Sequence, residues 1–592
     1  MTTPRFNPGH DMRHETFGDI LLERSTDDHP GLLFEDSSWT WREFVAESAV
    51  RAAILSDWSA THADAYAGRP ERFRHLHVGI LLENVPEYLF LLSGASMAGV
   101  TIIGINPTRR GAELASDIRG VDCDVIVTDA HGAGLLDGLT LADGTGGGTG
   151  GDTGGVVAVH EVDSTGWQEL LSAHAGAEPR LHDAARDPHT LLALLFTSGS
   201  TGAPKAVMCS TGRLAMLGTI NYRNLVRDDV AYSAMPLFHG NAMFAAFAPA
   251  AFVGCTFAMR RTFSASGFLP DVLRFGATYV NYVGRSLSYI LAQPERPEEK
   301  QTELRIVFGT EASAHDRAEF ARRFGVEPGE SYGSSEGGVV IGRTSDTPPD
   351  ALGVAGAYMD VVILDEDGRE CPRAEFDADG GLANAGEAIG EICNLTGAAM
   401  FEGYYRNPEA TAERNIGEIY HSGDLGYRDA DGFFYFAGRS GDKIRVDSEN
   451  FSAGPVERIL DRFPGVLVVA VYPVPDPRTG DQVMAAIQLE PDVTFDPAAF
   501  SEFCRTQPDM GTKWAPRFVR IMETMPVTAT RKIAKPDLRR QSWTEPGEVY
   551  VRGGAALAGG HDDDDEFRPL TSVVRDSVLE QYRLHGRQPT GV

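Results

Sequence analysis

From Leu191 to Phe196 the chain is continuously apolar, and it then empties into Thr197, Ser198, Gly199, Ser200, Thr201, Gly202 and Ala203 before presenting Pro204 and Lys205. The run has the length and apolarity of an interior strand, so a small-residue loop is delivered to one end of a sheet. Gly199 and Gly202 leave the backbone room to approach a ligand closely. Hydroxyls at Thr197, Ser198, Ser200 and Thr201, together with free backbone N–H groups, can donate to phosphate oxygens while Lys205 adds a point charge. The loop reads as a polyphosphate cradle. It is not a Walker loop, which needs Ser or Thr straight after the lysine, because Ala206 follows. In isolation a Gly/Ser surface turn that contains a lysine has the same composition.

At 592 residues the chain exceeds what one hydrophobic core usually serves, and 42% hydrophobic content supplies two or more domains. A net charge of −31, with no basic block long enough to track a nucleic-acid backbone, argues against nucleic acid as a partner. Any anionic substrate must then be captured by local donors rather than by the overall field. The first residues lack the apolar core of a secretory signal, and Ala242 to Met259 reads as a buried helix followed by a strand. Six scattered cysteines without a CxxC pair suit a reducing compartment and argue against a disulfide framework or a zinc site. The expectation is a cytoplasmic protein with at most peripheral membrane contact, compatible with a homo-oligomer.

Strand-length apolar runs alternate with helical stretches through the first four hundred or so residues: Val78 to Leu82, Pro86 to Met97, Thr101 to Ile105, Asp124 to Thr128. This is an α/β pattern. Gly144 to Gly155 lacks a preceding strand and reads as a flexible insertion. After about Gly438 a smaller α+β unit follows, with a helix at Ala453 to Phe463, strands at Val466 to Val471 and Gln482 to Leu489, and a helix capped by Asp496 and begun by Pro497. The expected division is 1–438, 439–545, and a loosely attached acidic tail, 546–592, with a short helix near Ser572 to Leu584.

Five further segments stand in the order and spacing of the adenylate-forming superfamily of acyl-CoA synthetases, which the chain resembles from about Trp39 to Lys535. They are MPLFHGNA at Met235 to Ala242, SYGSSEGG at Ser331 to Gly338, FEGYYRNPEAT at Phe401 to Thr411, the HSGDLGYRD stretch continuing to Arg445, and PVTATRKIAK at Pro526 to Lys535. Arg260 to Pro294 and Gly441 to Ser452 are similar to the very-long-chain acyl-CoA synthetase and fatty-acid-transport branch. Ile105 to Leu114 resembles actinobacterial ligases of fatty or steroid side-chain acids. The resemblance implies a large multi-subdomain adenylation domain, a small mobile C-terminal domain, and the substrates ATP and coenzyme A with magnesium.

By the same resemblance Glu336 is the magnesium ligand, Ser335 meets the α-phosphate, and Tyr332 offers a ring to adenine beside Gly333. Asp424 accepts the ribose hydroxyls and Arg439 donates to the same sugar. Lys532 contacts the α-phosphate and the reacting carboxylate; Arg531 replaces the usual glycine before it, and Lys535 is a neighbour in the same basic stretch. His239 and Phe238 line the carboxylate end of the acyl pocket, flanked by Asn281, Tyr282, Val283, Gly284, Phe308, Gly309 and Thr310. Read from sequence alone, His239 is equally a satisfied buried histidine at a helix start. Gly441 and Asp442 lie at the implied hinge, and Ser448 stands where the family usually has glycine near the pantetheine path. The implied reaction joins an apolar carboxylic acid to coenzyme A through an acyl-adenylate. Two alternatives are an acyl-AMP ligase serving a separate carrier protein and a membrane-peripheral fatty-acid uptake protein.

Overall fold

The apolar run beside the loop forms the strand Leu191–Thr197. The computed structural model describes residues 14–141, 157–197, 205–220, 224–284, 286–377, 382–439, 443–446, 449–477, 481–507, 510–511, 513–528, 532–553, 566–584 and 588–589. Six strands form one sheet in the order Ala158–Glu161, Val125–Thr128, His77–Leu81, Thr101–Gly104, Leu191–Thr197, Lys205–Ser210. Neighbours are parallel except the last pair, which is antiparallel. The expected early strands, and the helix Pro86–Ala98, lie within a residue of where the pattern placed them.

A second sheet of nine strands has a parallel centre: Pro328–Gly333, Ile306–Gly309, Tyr279–Asn281, Val230–Ser233, Thr256–Met259 and Pro30–Phe34. Helices Trp41–Thr61 and Pro86–Ala98 contribute to the one core that both sheets share. They can touch because Gly94 has no side chain: a Cβ there would lie 2.8 Å from Ser48 O and from Ala52 N. Thr40 and Glu43 close a reciprocal capping box at the start of the first helix.

The stretch from Gly240 to Val253 is helical, and Met243–Phe247 within it takes π geometry. Pro249 explains the lapse: it has no N–H for the carbonyl of Ala245, and the Tyr279 hydroxyl donates to that oxygen instead. A third, antiparallel sheet joins Val361–Leu364, Gly390–Asn394, Ile419–Arg428, Asn415–Ile416 and Phe434–Arg439.

The C-terminal unit is built on a five-stranded sheet, Val466–Pro475, Asp481–Leu489, Phe518–Met522, Glu548–Arg552, Phe567–Pro569. Asp496 caps the helix Pro497–Thr506 as expected, accepting from the N–H groups of Ala498 and Ala499. The expectation of a loosely attached tail after residue 545 is corrected for its described residues. Two of the five strands come from it, and the helix Ser572–Leu584 docks through Val578 and Tyr582, 6% and 1% exposed. The Tyr582 hydroxyl donates to Pro475 O. The acidic run masked an apolar alternation at Val549 and Val551 and a four-residue repeat at Val574, Val578 and Tyr582. Residues 142–156, which hold the Gly-rich insertion, lie outside the described residues.

All six cysteines are free and buried. Among the described residues no helix is long and apolar enough to cross a membrane.

Candidate active site

Three parallel strands of the second sheet, Tyr279–Asn281, Ile306–Gly309 and Pro328–Gly333, release their chains on the same edge, where open α/β sheets bind ligands. Residues continue to pair beyond the strands: Tyr282 N–H donates to Phe308 O at 3.1 Å and Gly284 N–H to Thr310 O at 3.0 Å. Gly309 has no room for a side chain, since a Cβ would lie 2.5 Å from the Tyr282 ring and carbonyl. Gly284, Thr310, Tyr332, Gly333, Asp424 and Lys532 share the wall of a cleft of about 1560 Å³ between this edge and the C-terminal unit.

Glu336 follows Pro328–Gly333 in a tight turn and is 7% exposed. Arg213, on the helix Thr211–Ile220, anchors that turn by donating to the carbonyls of Ser335 and Glu336 and, at 2.7 Å, to Met208 O. The Tyr404 hydroxyl donates to Glu336 Oε1 at 2.8 Å and accepts from Arg414 Nε at 3.4 Å. Burial and the Glu336 charge hold the Tyr404 phenol above its ordinary range, so it stays a donor. Lys205 Nζ lies 5.4 Å from the Tyr404 ring centroid and 3.7 Å from Glu413. One network therefore links the lysine of the expected phosphate loop to the expected magnesium ligand. Thr197 donates to Lys205 O at 3.3 Å, and Ser198, Gly199, Ser200, Thr201 and Gly202 lie outside the described residues.

Tyr332 and Asp424 meet directly. The Tyr332 hydroxyl donates to Asp424 Oδ2 at 2.6 Å, and burial, then the Asp424 charge, push the phenol far above its usual value. Phe436 lies 6.3 Å from the Tyr332 ring. Asp424 stands opposite Arg439 in strand register. The irregular stretch of strand that delivers Asp424 is held by Glu391, whose Oε1 accepts the Gly423 N–H at 2.6 Å and whose Oε2 lies 2.8 Å from His421 Nδ1. Gly423 is at φ 75°, and a Cβ there would overlap the Arg414 guanidinium.

Of the two neighbouring lysines, Lys532 crosses the cleft, its Nζ 2.6 Å from Glu311 Oε1. Lys535 instead pairs within the C-terminal unit, 2.9 Å from Glu457. Lys532 is tied to Thr528: the Thr528 N–H donates to Lys532 O at 2.7 Å, and the Lys532 N–H to Thr528 Oγ1 at 3.2 Å. His239 caps the helical segment that begins at Gly240, its Nδ1 accepting the Asn241 N–H at a long 3.5 Å. Burial and the Lys532 charge hold the imidazole down to about 4, against the pull of Glu336 and Glu311, so it is neutral at pH 7.

Around the expected acyl pocket, Asn281, Tyr282 and Val283 are buried, while Phe238 and Phe308 are partly so. Asn281 donates to Asn241 Oδ1 at 2.6 Å, and the Tyr282 hydroxyl points away to Glu330 at 3.0 Å. Gly441, Asp442 and Ser448 lie outside the described residues. Sequence reasoning missed Arg213, Glu311, Glu391 and Arg414. Tyr404 lay inside a quoted motif without a role, its signal being a phenol in an otherwise turn-rich stretch.

A family model described as AMP-binding enzyme matches residues 22–405, and one described as AMP-binding enzyme C-terminal domain matches 455–532. The chain is 47% identical over 581 residues to a steroid-22-oyl-CoA synthetase of Rhodococcus jostii (strain RHA1), covering 98% of this chain and 99% of the relative. It is 43% identical over 511 residues to a medium/long-chain fatty-acid CoA ligase of Mycobacterium marinum, covering 86% and 92%. Its fold is similar to that of the anthranilate CoA ligase AuaEII in complex with anthranoyl-AMP, with TM-score 0.74, 20% identity, and coverage of 90% and 98%. With the Tyr332–Asp424 pair and Lys532 gathered about one cleft, and a family model spanning most of the chain, this protein belongs to the AMP-binding enzymes.

Proposed function

We propose that the protein is an AMP-forming acid–thiol ligase that converts an apolar carboxylic acid, a long-chain fatty acid or a steroid side-chain acid, to its coenzyme A thioester. A carboxylate resists thiols because its oxygen leaves poorly. Attack on the α-phosphorus of ATP expels pyrophosphate and leaves an acyl-adenylate, from which coenzyme A displaces AMP. The first step needs fixed cations and donors about the α-phosphoryl oxygens. Lys532 supplies a mobile ammonium at the cleft, and Asp424 with Arg439 binds the ribose. Ser335 faces the α-phosphate, and neutral His239 shapes the carboxylate end without bringing a second cation.

A magnesium ion fits Glu336: Tyr404 engages one carboxylate oxygen, Oε1, and orients the other, a hard donor suited to that ion. When bound, the ion neutralises phosphate charge. The observation that carries the reading is Lys532 facing the Tyr332–Asp424 pair across one cleft. The substrate class is supported by the two relatives, named for steroid and fatty acids, and coenzyme A rather than a carrier thiol by both being named for it.

The test is pyrophosphate release over fatty, aryl and steroid acids, with and without coenzyme A, alongside detection of the thioester. Release without thioester formation would redirect the reading to a carrier thiol. No release with any acid would refute it.

A further inference from the structure

Glu311 follows the strand Ile306–Gly309 at φ 70°, the left-handed region that glycine enters freely and that a side chain with a Cβ resists. Its carboxylate, 44% exposed, meets the Lys532 ammonium, 28% exposed, at 2.6 Å. The two belong to opposite walls of the cleft. His239 lies within the field of both charges, which act on it in opposite directions. A reacting acid brings a second carboxylate to the same ammonium. Lys532 has three N–H donors, but two carboxylates crowded about one cation repel each other.

We propose that Glu311 is a positioning residue: in the absence of acid it holds Lys532, and with it the C-terminal unit, against the cleft, and it yields the ammonium to the substrate's carboxylate. Glu311 is thus an internal stand-in for the substrate. The exchange keeps one carboxylate on the lysine, while Glu311, 44% exposed, turns its own charge back to solvent. The proposal rests on the reading of Lys532 as the lysine that meets the acid. A partly exposed ion pair is worth little, which is what an exchangeable contact requires.

The test has an arm that does not depend on turnover. Because the six native cysteines are buried, Arg369→Cys and Arg505→Cys, whose native side chains are 72% and 61% exposed on opposite units, can be labelled selectively for energy transfer in the full-length protein. In ligand-free enzyme Glu311→Gln should lower the closed-to-open ratio roughly two- to five-fold, the worth of an exposed ion pair. Glu311→Asp should restore most of it, and Glu311→Gly should match Glu311→Gln although it relieves the left-handed backbone. In the kinetic arm Glu311→Gln should lower KM for the acid by about the same factor and leave KM for ATP unchanged. Unchanged transfer efficiency in Glu311→Gln would overturn the docking role, and an unchanged or raised KM for the acid would overturn the exchange. If no acid is turned over at all, the ligase reading fails and the fluorescence arm still decides the contact.

Discussion

Gly423→Ala is the sharpest perturbation of the nucleotide side of the cleft, because a single methyl acts there in two ways. An L-residue at φ 75° pays roughly 1–2 kcal/mol relative to glycine. The new Cβ would also overlap the Arg414 guanidinium, so that either this side chain gives way or the strand moves from Glu391, which holds the Gly423 N–H at 2.6 Å. The φ strain favours the second adjustment, which displaces the next residue, Asp424, from its 2.6 Å bond to Tyr332. If Asp424 meets the ribose as proposed, that contact exists already in the ground state, so its loss should appear mainly in KM for ATP, raised about 5- to 30-fold for 1–2 kcal/mol, with kcat changed much less. The assay is initial-rate pyrophosphate release with ATP and acid varied separately. An unchanged KM for ATP in a folded Gly423→Ala protein would refute the positioning role of Gly423, and an unchanged KM in Asp424→Ala would refute the assignment of Asp424 to the ribose.

Lys532→Ala should cut pyrophosphate release about 100- to 1,000-fold, the loss of one transition-state donor, whereas Lys535→Ala, which loses the pair with Glu457, should stay within a few-fold; comparable losses would reverse the assignment. Glu336→Gln should raise the magnesium concentration for half-maximal rate and lower kcat, with Tyr404→Phe shifting both in the same direction by less, and a Tyr404→Phe magnesium titration identical to wild type would remove the tyrosine's role. His239 and His75, held at about 4, and His77, held well below its ordinary 6.5, bind fewer protons folded than unfolded, so stability should rise with pH between about 4 and 6.5 and be lost as pH falls through that window. Melting midpoints of His239→Gln against pH should show a shallower slope there, and an identical slope would contradict the buried neutral ring. Tyr582→Ala should destabilise the C-terminal unit by about 3 kcal/mol, as expected for emptying a buried aromatic site; a calorimetric trace unchanged from wild type would mean that the final helix does not support the sheet.

What could be read from sequence was local. The strand at Leu191, the early alternation of strands with the helix from Pro86, and the Asp496–Pro497 helix start each depend on neighbours within a turn or a strand, where periodicity and capping chemistry act directly. The motif residues were legible through their resemblance to a family's motifs, which is why Glu336, Asp424 and Lys532 could be named without coordinates. Local reading found the helix near Ser572 to Leu584 but failed where composition concealed pattern, missing the two strands that the acidic tail supplies and the docking of that helix. It could not reach the π turn either, since that turn rests on a tyrosine from a distant strand replacing the donor Pro249 lacks. Partners were decided only by the tertiary structure. Tyr404 is 68 residues from Glu336, Tyr332 is 92 from Asp424, and Glu311 is 221 from Lys532. No periodicity spans such separations. The chain's local chemistry determined a strand that empties into small and hydroxyl-bearing residues, and resemblance named a carboxylate and a lysine, while the packing of three sheets and a separate C-terminal unit determined which groups would meet, because a side chain's partner is set by where the core brings its strand.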